Sequence, residues 1–192
     1  MDIIERAVSV LMHDGTVVYP TETVYGLGAD AFSDNAILKV YEAKKRPLGQ
    51  PISIAVSDFD MLAAVAHVEP HMHGFIQMFL PGPVTIVLRA KHSLPDILTG
   101  GTGLIGVRIP AHETALRLIE RFDAPITATS ANLHGAKDPA TPDECTVPRD
   151  FFIDGGRLAG MPSTVIDLVN GRILRKGLRA EEIEHMLGSF VR

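Results

Sequence analysis

Cysteine is almost absent from this sequence, and acidic residues outnumber basic ones. Cys145 is the single cysteine among 192 residues, so the chain cannot form an internal disulfide, which is typical of a reducing compartment. The 18 lysines and arginines face 23 aspartates and glutamates, which gives a net charge of −5. This balance argues against a protein whose whole surface grips nucleic acid, but it is compatible with a local basic cleft.

Long apolar runs and targeting signals are also missing. No apolar run reaches about 18 residues, the length that a membrane-spanning helix needs. No basic segment followed by an apolar one opens the chain. We therefore expect a cytoplasmic protein that does not insert in a membrane.

The common nucleotide and metal motifs are not found. The sequence contains neither the Gly-x4-Gly-Lys-Ser/Thr motif of P-loop proteins nor the Gly-x-Gly-x-x-Gly motif of Rossmann domains. His67 and His71 are four residues apart, but Pro70 interrupts the helix that would align them. We expect no metal held by the protein alone, and we expect Cys145 to be structural and not a nucleophile.

The residues that are present indicate one globular α/β domain over residues 1–192. Hydrophobic residues make up 46% of the chain and charged residues 21%. Strands alternate with helices early and pair as hairpins late, which predicts a twisted, open, mixed β-sheet with flanking helices. Strands are predicted at residues 16–19, 52–56, 84–89, 104–109, 125–129, 151–154, 164–169 and 173–175. Helices are predicted at residues 3–12, 34–45, 61–65, 70–79, 112–122 and 180–187.

The most informative stretch covers residues 19–51. A short strand ends at Pro20, and the polar run PTETVYGLG follows to Gly28. Gly26 and Gly28 are expected to let the backbone approach a ligand closely. About one helix later the segment KKRP places Lys44 and Arg46 at a helix end. Such cations suit a small anionic ligand, although a solvated basic helix terminus is the simpler alternative.

This stretch resembles the signature of the YrdC-like family, the threonylcarbamoyl-AMP synthases, in its single-domain form. Five further segments resemble the family's motifs and follow in the family's order. The resemblance covers nearly the whole chain and implies a concave ligand-binding face. The further segments are PGPVT at 81–85, VRIPAH at 107–112, TSAN at 129–132, STVID at 163–167 and LRKG at 174–177.

The resemblance implies roles for ten residues. Lys44 and Arg46 are assigned to catalysis. Threonine binding is assigned to Thr21, Arg108, Ala128 and Ser163. ATP binding is assigned to Lys44, Arg46, Leu48, Ser130, Asn132 and Arg175.

The residues taken alone leave other interpretations open. Arg108 at the end of an apolar strand needs a negative partner, which is either a ligand carboxylate or a structural acidic residue. Ser130 and Asn132 form either an anion cradle or an ordinary turn, and Arg175 is either a ligand contact or an edge-strand charge. Thr21 and Glu22 would equally stabilise their own loop, and Glu22 would alternatively orient a hydroxyl or meet magnesium through water.

One position departs from the family pattern. Many members carry a histidine where Ala55 stands in this chain. A contact to threonine or bicarbonate is therefore lost here or supplied by another group.

The function implied by the resemblance is the synthesis of threonylcarbamoyl-AMP and pyrophosphate from L-threonine, bicarbonate and ATP with Mg²⁺. A downstream tRNA threonylcarbamoyl-transferase complex would use the product to modify the adenosine beside the anticodon. Two alternatives stay open. One is a module that binds tRNA or double-stranded RNA without catalysis, through Lys44, Lys45, Arg46, Arg108 and Arg175. The other is an ATP-binding paralogue with a different acceptor.

Overall fold

The computed structural model describes residues 2–190 and has the α/β architecture that the sequence predicts. Within these residues it contains seven α-helices, eleven short strands, and two 3₁₀ turns at Pro70–Met72 and Pro142–Glu144. The helices are α1 (Ile3–Leu11), α2 (Asp34–Lys44), α3 (Phe59–Val65), α4 (His73–Phe79), α5 (Asp96–Thr99), α6 (Glu113–Phe122) and α7 (Ala180–Phe190). The strands are β1 (Val17–Tyr19), β2 (Gly26–Gly28), β3 (Ile54–Ala55), β4 (Ala66–His67), β5 (Val84–Ala90), β6 (Leu104–Arg108), β7 (Ile126–Thr127), β8 (Thr129–Ser130), β9 (Phe151–Phe152), β10 (Thr164–Asp167) and β11 (Arg172–Arg175).

The described strands form two mixed sheets. The larger sheet has the order β11-β10-β5-β6-β3-β7, with β4 paired to β5, and the smaller has the order β8-β2-β1-β9. Parallel pairs such as β10–β5 and β3–β6 alternate with antiparallel pairs such as β5–β6 and β10–β11. The predicted fold class is confirmed, while the division into two sheets goes beyond the sequence prediction.

The two sheets meet at a break in the strand predicted over residues 125–129. The chain leaves the larger sheet after Thr127 and enters the smaller one at Thr129, with Ala128 between them. Thr127 ties the junction to the smaller sheet, because its Oγ1 donates to the carbonyl of Leu27 at 2.8 Å and its N–H to that of Ala29 at 2.9 Å. The beginning of the segment 128–132 is therefore anchored to both sheets.

The signature glycines have a packing role that the sequence prediction missed. Gly26 and Gly28 lie in β2, which pairs with β1. A Cβ atom at Gly26 would lie 2.9 Å from Cζ of Tyr19, and one at Gly28 would lie 2.9 Å from Cε1 of the same ring. The glycines make room for Tyr19, so the expectation that they admit a ligand is not met.

Helix α2 carries the signature cations and is well defined at both ends. Ser33 accepts a hydrogen bond from the N–H of Ala36 at 3.2 Å, as an N-cap does, and Lys45 ends the helix with a φ of 50°. Lys44 follows Val40 by four residues and Ile37 by seven, so it shares their buried face. The helix therefore directs Lys44 inward.

Several predicted elements differ in extent from those observed. Of residues 52–56 only Ile54–Ala55 pair as a strand, and the helix predicted over residues 70–79 divides into a 3₁₀ turn and α4. Helix α5 and strand β4 were not predicted. Within the described part of the chain, no helix combines the length and apolar character needed to cross a bilayer.

Candidate active site

Residues from both sheets line one cleft with a volume of about 320 Å³. Eight of the ten predicted site residues contribute to its walls, and Thr21 and Leu48 do not. The structure therefore brings together positions more than 130 residues apart in the chain. The eight are Lys44, Arg46, Arg108, Ala128, Ser130, Asn132, Ser163 and Arg175.

Lys44 is held by the loop that follows β8. Its side chain is buried, and the residue is 2% exposed. Nζ donates to the carbonyl oxygen of Asn132 at 2.7 Å, to Oδ1 of Asn132 at 3.1 Å, and to the carbonyl oxygen of Ser130. Three acceptors engage all three protons of the ammonium group. A solvated basic helix terminus is therefore wrong for Lys44, which instead fixes the Ser130–Asn132 loop.

Burial also changes the acidity of this lysine. Burial, reinforced by the charge of Arg46, lowers the pKa of Lys44 to about 8, and the carboxylate of Asp138 acts in the opposite direction. The group stays protonated at neutral pH and loses its proton in mildly alkaline solution.

Arg46 connects two loops at the edge of the cleft. Its Nη2 donates to the carbonyl oxygen of Pro51 at 2.9 Å and its Nε to that of Gln50 at 3.4 Å. Its Nη1 lies 3.3 Å from Nδ1 of His134 on the opposite loop. The side chain is half-buried, so its planar guanidinium is fixed while it still faces the cleft.

Arg108 has an internal acidic partner, which is one of the two partners that the sequence left open, and its binding of a ligand carboxylate stays a prediction. Its Nη2 lies 2.5 Å from Oε1 of Glu22, and its Nη1 donates to Oγ1 of Thr23 at 3.2 Å. The two side chains are 7% and 17% exposed, so this is a largely buried ion pair. Glu22 thus supplies the carboxylate that pairs with this largely buried arginine.

Ser163 lies between Thr85 and Arg175. Its hydroxyl is 2.9 Å from Oγ1 of Thr85, and Nη2 of Arg175 donates to its carbonyl and hydroxyl oxygens at 2.9 and 3.1 Å. A β-bulge between β10 and β11 makes Leu174 an extra residue, and such a bulge redirects the neighbouring side chain. Arg175 is therefore directed onto the cleft, although it belongs to an edge strand.

The loop after β8 is closed by its own side chains. Oγ of Ser130 donates to Oδ1 of Asn132 at 2.6 Å. Nδ2 of Asn132 donates to the carbonyl oxygen of Ala136 at 2.6 Å and to Oδ1 of Asp138 at 3.3 Å. Because Lys44 holds the same asparagine, the loop is a fixed part of the cleft wall.

Thr21 and Leu48 lie outside the cleft wall. Thr21 is buried, and its Oγ1 donates to the carbonyl oxygen of Val24 at 2.7 Å and accepts from the N–H of Thr23 at 3.2 Å. This is the loop-stabilising role that the sequence left open. Leu48 is 65% exposed. The geometry gives no support to a ligand contact by either side chain, and these two assignments stay predictions.

The cleft concentrates positive charge on a chain that is negative as a whole. Lys44, Arg46, Arg108 and Arg175 face it, and Asp138 is the one carboxylate among its described lining residues. Partial burial of the guanidinium lowers the pKa of Arg175, with Asp138 opposing the shift and Arg108 adding to it. Clustered cations in a concave site favour an anionic ligand.

Four residues of the site were missed or left without a role by sequence reasoning. Glu22 and Thr85 lie inside the family motifs, so the sequence could have indicated that these two residues matter. It could not have identified the residues that they contact. His134 and Asp138 lie in a loop without a motif, and only the geometry reveals them.

The donor set of the cleft suits a metal that arrives with a ligand. Among residues 2–190, no three His, Cys, Asp or Glu side chains group closely enough to hold a metal ion. Mg²⁺ typically binds one or two carboxylates together with substrate phosphates. A single lining carboxylate, Asp138, beside the cations of the cleft has the chemistry that fits a magnesium ion carried on a nucleotide.

The family model Sua5_yciO_yrdC, described as "Telomere recombination", matches residues 9–177. The chain belongs to this family. The resemblance inferred from the motifs is thereby confirmed.

Two relatives of this chain are both named threonylcarbamoyl-AMP synthase. A threonylcarbamoyl-AMP synthase of Pyrococcus abyssi (strain GE5 / Orsay) is 42% identical over 185 residues, covering 91% of this chain and 54% of the relative. One of Bacillus subtilis (strain 168) is 34% identical over 195 residues, covering 96% and 56%. This chain spans about half the length of each of these two relatives.

A solved structure supports the same family assignment. The crystal structure of P. abyssi Sua5 complexed with L-threonine superposes with a TM-score of 0.89 at 39% identity, covering 96% of this chain and 57% of that chain. The Sua5/YciO/YrdC fold is therefore shared over nearly all of this chain.

Proposed function

We propose that this chain forms L-threonylcarbamoyl-AMP and pyrophosphate from L-threonine, bicarbonate and ATP. The observation that carries the proposal is the convergence of eight predicted substrate-binding residues on one cationic cleft. Two relatives are named for this reaction, and one homologous protein was crystallised with L-threonine. The activity belongs to the class of nucleotidyl transfers.

The proposed mechanism relies on positioning and charge. The amine of threonine combines with bicarbonate to give a carbamate and water, and an oxygen of the carbamate attacks the α-phosphorus of ATP while pyrophosphate leaves. Arg46 and Arg175 face the developing negative charge, and Lys44 holds the loop against which the nucleotide lies. When bound with the nucleotide beside Asp138, Mg²⁺ supplies further charge neutralisation on the phosphates.

No covalent intermediate on the protein is needed. Burial raises the pKa of the Cys145 thiol to about 11, so it is not ionised at neutral pH. Cys145 also lies outside the residues that line the cleft. We infer that the product leaves as a free adenylate, which a tRNA threonylcarbamoyl-transferase complex would consume.

Burial argues against the RNA-binding alternative. Of the five cations that it requires, Lys44 and Arg108 are 2% and 6% exposed and are engaged by internal oxygen atoms. A phosphate backbone is bound by exposed cations, with a steep dependence on salt. The named relatives also favour the synthase over a non-catalytic RNA-binding module.

Ala55 supports a second candidate, a synthase with a different acceptor. In the pairing of β3 with β6, Ala55 lies opposite Arg108. The position that carries histidine in many relatives is therefore beside the arginine assigned to the substrate carboxylate. Ala55 itself is buried and is not among the cleft-lining residues, so a change there would reach the acceptor through Arg108.

Pyrophosphate release from ATP tests both candidates. The proposal predicts release that requires L-threonine and bicarbonate together. Release that needs another amino acid in place of threonine would support the second candidate. Release that needs neither co-substrate would contradict both.

A further inference from the structure

Two buried atoms of opposite charge beside the cleft have no hydrogen-bond partner within residues 2–190. They are Oε2 of Glu22 and Nε of Arg108. Oε1 of Glu22 and Nη2 of Arg108 form the 2.5 Å ion pair, and Nη1 of Arg108 donates to Oγ1 of Thr23. Buried polar groups are nearly always paired, because an unpaired one costs stability. Both atoms have almost no accessible surface, so they indicate an ion pair whose two charges are incompletely satisfied within the described structure.

This ion pair lies against the cleft wall. Arg108 lines the cleft, and so does Thr23, which follows Glu22 in the chain and accepts from Nη1 of Arg108. Nδ1 of His112 is a third buried atom without a partner in the described structure. Burial lowers the pKa of His112 and the charge of Glu22 opposes this shift, which places the carboxylate near the ring.

The charges of the pair discriminate between ligands. A simple carboxylate that reaches Arg108 also meets the negative charge of Glu22, which repels it. A zwitterion brings a carboxylate for the guanidinium and an ammonium group for the glutamate. We propose that Glu22 is a specificity-determining residue, which selects α-amino acids over the corresponding acids that lack the amine. The inference rests on the proposed function, in which L-threonine is the acceptor.

The competing role for Glu22 is purely structural. In that role it neutralises Arg108 and orients its guanidinium, as buried acidic partners commonly do. Its loss would then weaken binding of every carboxylate ligand by the same factor. The ratio of two affinities separates the two roles, whereas a single affinity does not.

Calorimetric titration with L-threonine and with (R)-3-hydroxybutyrate measures this ratio. The second compound keeps the carboxylate and the hydroxyl group but lacks the amine. We expect wild-type protein to bind threonine at least about tenfold more tightly, because a site built for a polar group rejects an analogue without it. In Glu22→Gln we expect the ratio to fall to about threefold or less, through weaker threonine binding.

Glu113→Gln is the matched control. Glu113 is an exposed carboxylate in the first turn of α6 that also acts on His112 but makes no ion pair with Arg108 in the described structure. This variant removes the same charge from the neighbourhood, and we expect it to keep the wild-type ratio.

Two results would overturn the inference. Equal affinity of wild-type protein for both compounds would do so without any variant, whether or not Glu22→Gln folds. An unchanged ratio in Glu22→Gln would assign Glu22 to the structural role while leaving the proposed function intact. If wild-type protein did not bind threonine, the proposed function itself would fail, and the inference with it.

Discussion

Lys44 shows at the scale of one residue how a signature cation acts without facing solvent. Its three hydrogen bonds end on the loop that carries Ser130 and Asn132. These acceptors, two of them backbone carbonyls, offset part of the cost of burying an ammonium group, and the lowered pKa reflects the part that remains. The lysine is therefore a positioning residue whose effect on the nucleotide passes through the loop.

Replacing Lys44 by methionine should loosen this loop in the absence of any ligand. We expect deuterium exchange at the amides of residues 130–136 to accelerate by about tenfold or more, because local stability depends on the buried contacts that are removed. Exchange followed by peptide mass spectrometry makes the measurement on the ligand-free protein.

Lys39→Met provides the control for this experiment. Lys39 is an exposed lysine of the same helix, and its Nζ donates to the carbonyl oxygen of Asp14, far along the chain from the loop. Exchange in the loop should match wild type in this variant. Unchanged exchange in Lys44→Met would show that Lys44 acts only on a ligand.

The acidity of Lys44 predicts a pH dependence. Burial, reinforced by Arg46, lowers its pKa from the usual 10.5 to about 8 in the folded protein. Above that pH the neutral amine has two protons for three acceptors, so the loop should bind nucleotide less well. Between about pH 8 and 10.5 the unfolded chain holds more protons at this residue than the folded one, so its contribution to stability rises with pH.

Titration with an ATP analogue that carries a methylene bridge between the α- and β-phosphates tests this dependence. The affinity should fall as pH rises through about 8, and Lys44→Met should lack this inflection. An affinity that stays constant across this range, or the same inflection in Lys44→Met, would contradict the assignment.

Among the secondary-structure elements, the hairpin of β10 and β11 fixes the position of Ser163, because Gly177 packs closely against the backbone of residues 162–163. A Cβ atom there would lie 2.2 Å from the carbonyl oxygen of Pro162 and 2.7 Å from the carbonyl carbon of Ser163. Both contacts are to backbone atoms, which cannot relieve a steric clash by changing rotamer as a side chain can. The glycine is required because the segment after β11 passes directly over the residue before β10.

Gly177→Ala should destabilise the fold and weaken threonine binding together. We expect a loss of about 1–3 kcal/mol in the free energy of unfolding, the usual cost of overpacking. Urea denaturation and calorimetric titration measure the two effects.

Gly74→Ala is the comparison for this variant. A methyl group at Gly74 in α4 would have no neighbouring atom within 4 Å, and alanine in a helix is favoured over glycine by about 0.5–1 kcal/mol. This variant should leave threonine affinity unchanged. A Gly177→Ala protein as stable as wild type would show that the hairpin adjusts freely.

The sequence predicted elements well where local signals agree, and poorly where tertiary packing decides. Strand β5 is rich in β-branched residues and α2 has a serine cap, so both were predicted. Strand β2 is Gly-Leu-Gly, which has a low strand propensity and was therefore not predicted as a strand. Its glycines are explained by the packing of the Tyr19 ring against them. The strand breaks at Ala128 because the residues before it pair in the larger sheet and the residues after it pair in the smaller one. No local sequence pattern encodes this division.

At the scale of the whole molecule, motif order predicted the family and most of the cleft but not the internal partners. Arg108 needed a carboxylate, and the sequence did not decide between a ligand and a structural acidic residue. The proximity of Glu22 depends on how the β1–β2 loop meets the end of β6. Thr21 and Leu48 match family positions but lie off the wall, since motif membership does not fix where a side chain points. The long-range assembly of the cleft explains how a chain of net charge −5 gathers four cations around one cleft.

Mass spectrometry of the nucleotide product tests the central claim most directly. Purified protein would be incubated with ATP, Mg²⁺, L-threonine and bicarbonate labelled with carbon-13. The account predicts an adenylate that contains the threonine skeleton and the labelled carbon, and that is absent when either co-substrate is omitted. AMP or ADP formed without incorporation of threonine and the label would contradict it.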